Sequence, residues 1–236
     1  MKKGRLFLIP TVIANRNPGT IPDQVKGVVV NLDHFLVENI RTARRYLGSL
    51  QLGMDISSLR FDELTKHTSD QEIEMLMAPA LEGKDLGVLS ESGCPGVADP
   101  GSKAVNFAHR QGIKVVPLVG PSSILLALMA SGFNGQKFRF HGYLPIDKDK
   151  LRTTLKELEK SSARSDQTEI FIEAPYRNNA LLASILKFCD GQTQLCVARD
   201  ITGEHESIQT LPVKQWRNKD IDLHKMPTVF LLSSLR

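Results

Sequence analysis

The chain predicts an α/β protein made of two α/β domains. Strand-like runs alternate with helical segments of about ten residues through the first half, the signature of a parallel sheet with crossover helices. A shaped loop, Leu89 to Gly101, follows the short apolar run Leu86–Leu89 and holds two prolines and three glycines in thirteen residues. Helices become sparser between strands in the second half, which favours mixed or antiparallel pairing there.

Leu6–Ile9 reads as the first strand, stopped by Pro10. Thr11–Gly19 is a polar loop with Asn15, Asn17 and Pro18, and Pro22 suits the first turn of a helix to about Leu32. His34–Glu38 is a strand, Arg41–Leu50 a helix, and Leu59–Phe61 a short strand. Ser69 and Glu72 have capping-box spacing before a helix to Leu81, whose last turn is interrupted by Pro79. Strands Leu86–Ser90 and Ile113–Pro117 flank the shaped loop and a helix, Ser102–Gln111, ended by Gly112. Val116–Pro121 reads as a junction, so the domains are expected over 1–118 and 119–236. Pro121 starts an apolar helix over Ser122–Ser131, ended by Gly132. Phe138–His141 is a strand, Asp147–Ala163 an amphipathic helix, Thr168–Glu173 a strand and Asn178–Phe188 a helix. Leu195–Arg199, Glu206–Leu211 and Thr228–Ser233 complete the strands.

The 236 residues are 41% hydrophobic and 24% charged, which suits a globular chain with a sizeable core. The net charge is +4, with 14 Lys+Arg against 13 Asp+Glu before Gly120 and 16 against 13 after it, so the basic excess is thin and spread out. Arg41, Arg44 and Arg45 form the densest basic cluster and read as a solvated helix face. Cys94, Cys189 and Cys196 form no CxxC pair and have no histidine at metal spacing, so neither a disulfide framework nor a metal is expected, and a reducing cytoplasm fits. Behind the basic start, the apolar run Leu6–Pro10 is too short for a signal-peptide core or a membrane span, and no membrane partner is expected.

The phosphate-loop, dinucleotide-binding, nucleophile-elbow and zinc-protease motifs are absent. The six histidines, His34, His67, His109, His141, His205 and His224, are scattered and read as surface or satisfied core residues.

The loop Ser90-Glu91-Ser92-Gly93-Cys94-Pro95 with Asp99-Pro100-Gly101, followed by Pro117–Ser123 and then Gly142-Tyr143-Leu144-Pro145, resembles the tetrapyrrole methylase family. Within it the chain is most similar to the branch that methylates a cytidine ribose 2′-hydroxyl of small-subunit ribosomal RNA. Pro10-Thr11-Val12-Ile13-Ala14-Asn15 stands where that branch has P-T-P-I-G-N, and Glu38-Asn39-Ile40-Arg41 where it has E-D-T-R. Glu173-Ala174-Pro175-Tyr176-Arg177 echoes Y-E-S-x-H-R, and Ala198–Gly203 echoes A-R-E-L-T-K. The shaped loop departs from the family's S-D-A-G-T-P at Glu91, Ser92 and Cys94, and the other motifs at Val12, Ala14, Asn39, Ile40 and Gly203.

The resemblance implies a two-domain fold with a cofactor cleft between the domains, S-adenosylmethionine as cofactor and a homodimer. It implies cofactor contacts from Pro10, Thr11, Ser90, Ser92, Gly93, Cys94, Val97, Ser122, Ser123, Ala174, Pro227 and Thr228. Without the resemblance, Ser122-Ser123 reads equally well as plain helix capping. Methyl transfer is an in-line displacement in which the protein supplies mainly proximity and alignment. A ribose hydroxyl is a weak acid, so a base or a polarising cation is expected, and Glu38, Arg41 and Arg199 stand at motif positions by strand ends. For Glu38 and Arg41 the plainer reading is an ion pair across a helix start. Asp99 reads as a turn or cap residue rather than a catalyst. The acceptor is expected to be RNA of the small ribosomal subunit. A tetrapyrrole or other small-molecule acceptor, or a non-catalytic RNA-binding role, are the alternatives.

Overall fold

The computed structural model describes residues 2–14 and 17–234. Asn15 of the first-loop motif lies outside the described residues. The chain divides into two compact units, Met1–Ser122 and Ser123–Arg236.

The first unit holds β1 (Arg5–Ile9), α1 (Asp23–Val29), β2 (His34–Val37), α2 (Ile40–Ser49), β3 (Arg60–Glu63), α3 (Asp70–Leu81), β4 (Leu86–Leu89), α4 (Ser102–Arg110) and β5 (Lys114–Pro117). Its five strands form a sheet in the order β3-β2-β4-β1-β5, and every pairing is parallel. The three central strands β2, β4 and β1 are largely buried on both faces, and period-2 alternation divides their side chains. Phe7, Ile9, Phe35, Val37 and Leu89 face a cluster with Val25, Val29, Tyr46 and Leu47 of α1 and α2. Leu6, Leu36, Leu86 and Val88 face Ile73, Met77 and Phe107 of α3 and α4. After β1 the chain moves toward β2, and after β4 it moves the other way, toward β5. With right-handed crossovers this puts α1 and α4 on opposite faces and leaves a switch point at the carboxyl ends of β1 and β4. Ser69 closes the expected capping box with Glu72 at the start of α3, and α3 carries Pro79 in its last turn without ending early.

The second unit holds α5 (Ser123–Ser131), β6 (Phe138–Tyr143), α6 (Lys148–Ser165), β7 (Thr168–Ile172), α7 (Asn178–Phe188), β8 (Gln194–Arg199), β9 (Ser207–Pro212), α8 (Val213–Trp216) and β10 (Thr228–Ser233). The sheet order is β6-β7-β10-β8-β9. Only β6 and β7, joined through α6, pair in parallel, and the other pairings are antiparallel. Phe171, Val197, Phe230 and Leu232 pack against α6, α7 and Trp216 of α8, while Ile170, Cys196, Ala198 and Leu231 pack against Ala127 and Leu128 of α5.

Two features differ from the sequence expectation. β6 runs to Tyr143 through an irregularity after Phe140, where Gly142 takes a φ of +65°. The turn of helix α8 has no periodic signal of its own, being only four residues long, and it places Trp216 in the core with its indole N–H donated to the Leu195 carbonyl at 2.9 Å. His34 and His141 are satisfied core histidines, paired with Asp62 at 2.7 Å and Glu169 at 2.6 Å. No helix among the described residues is long and apolar enough to cross a membrane.

Candidate functional site

At the switch point of the first unit three chain segments are pinned together: the turn after β1, the loop after β4 and the segment after β5. Thr11 N–H donates to the Gly93 carbonyl at 2.9 Å, and Leu118 N–H to the Leu8 carbonyl at 3.1 Å. Gly120 lies so close to Pro10 that any Cβ there would strike the proline ring. Gly93, at φ +76°, is packed so that a Cβ would come within 3.2 Å of the Pro121 carbonyl. Cys94 Sγ lies 3.4 Å from that same oxygen, and Ser92 Oγ reaches the Ile13 carbonyl at 3.4 Å.

The loop between β4 and α4 is wound in an unusual way. Gly93, Gly96, Ala98 and Gly101 all have positive φ, so the chain reverses its winding repeatedly within a few residues. Asp99 clasps this winding from within. Its Oδ2 lies 2.8 Å from Ser90 Oγ and accepts the Glu91 N–H at 3.2 Å. Burial raises the Asp99 carboxyl to about 6, against hydrogen bonds that lower it, and the nearby Glu38 carboxylate adds to the rise. Asp99 is thus more than the turn residue its Asp-Pro-Gly setting suggests: it ties the two ends of the loop. Burial also raises the Cys94 thiol, so that side chain is a neutral wall rather than a nucleophile. Val97 stands half exposed on the loop.

Pro10, Thr11, Ser90, Ser92, Gly93 and Cys94 therefore come together at one edge of this sheet, with Val97 on the same loop. Ser122 ends the first unit and Ser123 opens α5 in the second. Glu38 follows β2 and lines a hollow of about 460 Å³ with Thr65, Lys66, His67 and Glu91. Arg41 begins α2 with its N–H on the Asn39 side chain at 2.9 Å. Among the described residues Glu38 and Arg41 form no ion pair, and the helix start is capped by Asn39.

In the second unit Ala174, Arg199, Pro227 and Thr228 gather at one end of β7, β10 and β8. The registers Ile172–Val229 and Arg199–Thr228 bring them there. Pro227 accepts the Asp200 N–H at 2.8 Å, and Thr228 Oγ1 donates to Met226 at 2.9 Å. Arg199 Nη1 donates to the Asp222 carbonyl at 3.3 Å, and its Nε is buried without a partner among the described residues. Two residues that sequence reasoning passed over fix this edge: fully buried Asn178 donates to the Met226 carbonyl at 2.6 Å, and Asn179 donates to Asp222 at 2.7 Å. Both read from sequence only as the start of a helix.

S-adenosylmethionine offers hydroxyls, a carboxylate, an ammonium and a sulfonium. The edge of the first unit answers with main-chain donors and acceptors on a left-handed loop, a neutral thiol and an exposed valine. That donor set fits a zwitterionic nucleoside, which needs hydrogen bonds and apolar cover more than fixed charge. Among the described residues no group of three or more His, Cys, Asp and Glu is placed to hold a metal ion.

The family model described as Tetrapyrrole (Corrin/Porphyrin) Methylases matches residues 36–216. The chain is 32% identical to the ribosomal RNA small subunit methyltransferase I of Vibrio cholerae, over 98% of this chain and 77% of that protein. It is 30% identical to the protein of the same name from Thermotoga maritima, over 86% of each. Among solved structures, the methyltransferase CobJ superposes with a TM-score of 0.63 at 18% identity, covering 98% of this chain and 94% of that one. A uroporphyrin-III C-methyl transferase from Thermus thermophilus, solved in complex with S-adenosylhomocysteine, superposes with a TM-score of 0.56 at 16% identity, covering 98% and 97%. At those identities the likeness shows a shared fold. With the family pattern running through most of the chain and the fold the same, this chain belongs to the tetrapyrrole methylase family and is an S-adenosylmethionine-dependent methyltransferase.

Proposed function

We propose that the acceptor is RNA of the small ribosomal subunit and that the methyl group goes to a ribose 2′-hydroxyl. The support is the similarity to ribosomal RNA small subunit methyltransferases along nearly the whole chain. The observation that carries the cofactor side is the pinned edge of the first unit, where Thr11 bonds Gly93 through main-chain atoms and Gly120 packs against the Pro10 ring.

The bound cofactor supplies an electrophilic methyl group on a sulfonium. The loop from Ser90 to Val97 orients it through main-chain groups, and Asp99 keeps that loop in shape. Ser122, at the end of the same unit, adds a hydroxyl. The 2′-oxygen bonds to the methyl carbon as the carbon–sulfur bond breaks, and the electron pair of that bond stays on sulfur. Glu38 receives the hydroxyl proton. Arg41 holds the acceptor and balances the charge that grows on its oxygen. Action on ribosomal RNA places the protein in the cytoplasm. It works as a homodimer, a reading supported by apolar side chains left exposed on the second unit, Leu125 and Met129 one turn apart on α5 and Ile146 before α6.

Transfer of labelled methyl groups tests this. Small ribosomal subunits lacking the modification should be labelled, and uroporphyrinogen should not. Labelling of uroporphyrinogen alone would move the acceptor to a tetrapyrrole. Bound RNA without transfer would make the protein a binding relative. Absence of calorimetric binding of S-adenosylhomocysteine would remove the cofactor site assigned to this edge.

A further inference from the structure

Beside the pinned edge the first unit has a second concavity. It holds about 530 Å³ and is lined by Thr11, Arg45, Tyr46, Ser49, Ser90 and Glu91 among others. That volume is within the usual range for a small-ligand site, about 300–1,000 Å³. The pocket is polar in a directed way. Thr11 is only 2% exposed, yet its hydroxyl has no hydrogen-bond partner among the described residues. A buried hydroxyl left unmatched is costly unless a ligand or water completes it. Tyr46 does not compete for that role, since its hydroxyl donates to the Pro10 carbonyl at 2.9 Å and so fixes the pocket wall to the turn after β1. Glu91 is held on one side by the Thr42 hydroxyl.

Arg45 supplies the charge. Its neighbour Arg44 lies over the Phe61 ring at 5.3 Å, so the two arginines have different roles. Arg45 is exposed at the pocket, with no ion-pair partner among the described residues. All three arginines are exposed, as a solvated face requires, but they differ in what they lie against.

We propose that this pocket receives the acceptor nucleotide, with the Thr11 hydroxyl hydrogen-bonding the nucleoside and Arg45 its phosphate. The proposal rests on RNA being the acceptor. Thr11 and Ser90 belong both to this pocket and to the edge assigned to the cofactor, so one wall serves both partners. The pocket suits a single nucleotide drawn out of an unpaired segment, the form in which RNA bases and sugars become accessible. A guanidinium at the mouth matches a phosphate through its planar fork.

The test uses the full chain, small ribosomal subunits and S-adenosylhomocysteine, with Arg45→Ala, Arg45→Lys and Thr11→Val. Arg45→Ala should raise KM for subunits about tenfold or more, the size of a lost charged hydrogen bond. It should lower the salt dependence of RNA binding by about one phosphate contact. Its affinity for S-adenosylhomocysteine should stay within about twofold of the starting protein, a precision at which one lost hydrogen bond would be visible. Arg45→Lys should restore part of the KM and the salt slope. Thr11→Val, nearly the same shape, should raise KM for subunits. The proposal is overturned if Arg45→Ala leaves KM and salt slope unchanged while the starting protein methylates subunits. It is also overturned if affinity for S-adenosylhomocysteine falls in step with methylation, since the pocket would then hold cofactor. A starting protein that binds S-adenosylhomocysteine but labels no subunit defeats the RNA reading itself, and this proposal with it.

Discussion

The two units each bury a five-stranded sheet between helices, but they fix the chain at their strand ends by different means. In the first unit the segments meet mainly through close-packed backbone, braced by side chains such as Asp99 and Tyr46. Thr11 meets Gly93 through main-chain atoms, and Gly120 meets Pro10 with no room for a side chain. In the second unit main-chain bonds such as Asp200 N–H to Pro227 are joined by long-reaching side-chain clamps. Asn178, Asn179 and Arg199 reach across to Met226 and Asp222 and hold the segment before β10. A parallel sheet brings the chain to its carboxyl edge after every strand, so close-packed loops are unavoidable there. A mainly antiparallel sheet returns each chain at once, and a long connection such as the one before β10 needs anchoring from outside the sheet.

The same difference decides what could be read from sequence. Glycine and proline mark backbone that must turn or approach closely, so the loop from Ser90 to Gly101 was legible as a shaped site. Alternating apolar residues and the Ser69–Glu72 box marked most elements of both units. The clamps were not legible, because an asparagine at a helix start reads as capping whether or not its amide crosses to another segment. Trp216 escaped for a related reason: it sits in a single helical turn whose only purpose is to deliver it to the core. Arg45 was lost in a cluster, since sequence spacing does not separate a guanidinium lying on Phe61 from one lining a pocket.

The largest expected effect falls on the second unit. Trp216→Ala removes a fully buried indole and orphans the Leu195 carbonyl. A loss of about 3–5 kcal/mol is expected, read by denaturant unfolding and by loss of amide protection in β8 and β9. A loss under about 1 kcal/mol would mean that α8 is an ornament on the sheet rather than part of its core.

Next is Gly120→Ala, which tests the backbone-built edge. The new Cβ must push against Pro10, an overpacking cost of about 1–3 kcal/mol, and affinity for S-adenosylhomocysteine should fall with it. Gly96→Ala is the sharper control. It sits at positive φ, +79°, with open space around it, so it should bear backbone strain alone, whereas Gly120, which has no positive φ, bears the close approach alone. Equal loss of cofactor affinity in both variants would show that backbone strain matters at this edge as much as close approach.

A smaller effect is expected at Asn39, where the chain departs from the family's Asp. Asn39 Oδ1 accepts the N–H groups of Arg41 and Thr42, so Asn39→Ala should cost about 1 kcal/mol. Asn39→Asp keeps the acceptor and adds charge where the helix dipole favours it, and it should be neutral or slightly stabilising by thermal melting. If Asn39→Asp instead melts earlier, the departure serves something other than the cap.

The finest test concerns Asp99, the one carboxylate inside the backbone-built edge. Asp99→Asn keeps an oxygen to accept from Ser90 Oγ and the Glu91 N–H and stands in for the protonated acid, so the loop stays clasped and stability below about pH 4 should change by less than about 1 kcal/mol. The pH dependence should change more clearly. The folded carboxyl titrates at about 6, above its ordinary 3.8, so the folded state holds the proton more tightly than the unfolded chain. Stability from this group is therefore fully present below about 4 and is lost as pH rises through about 6. Subtracting the variant's unfolding curve from that of the starting protein cancels the other carboxylates. The difference should decline between those two pH values and be flat above them. A difference that is flat throughout would place Asp99 in solvent, and the winding of the loop would then rest on its glycines and Ala98 alone.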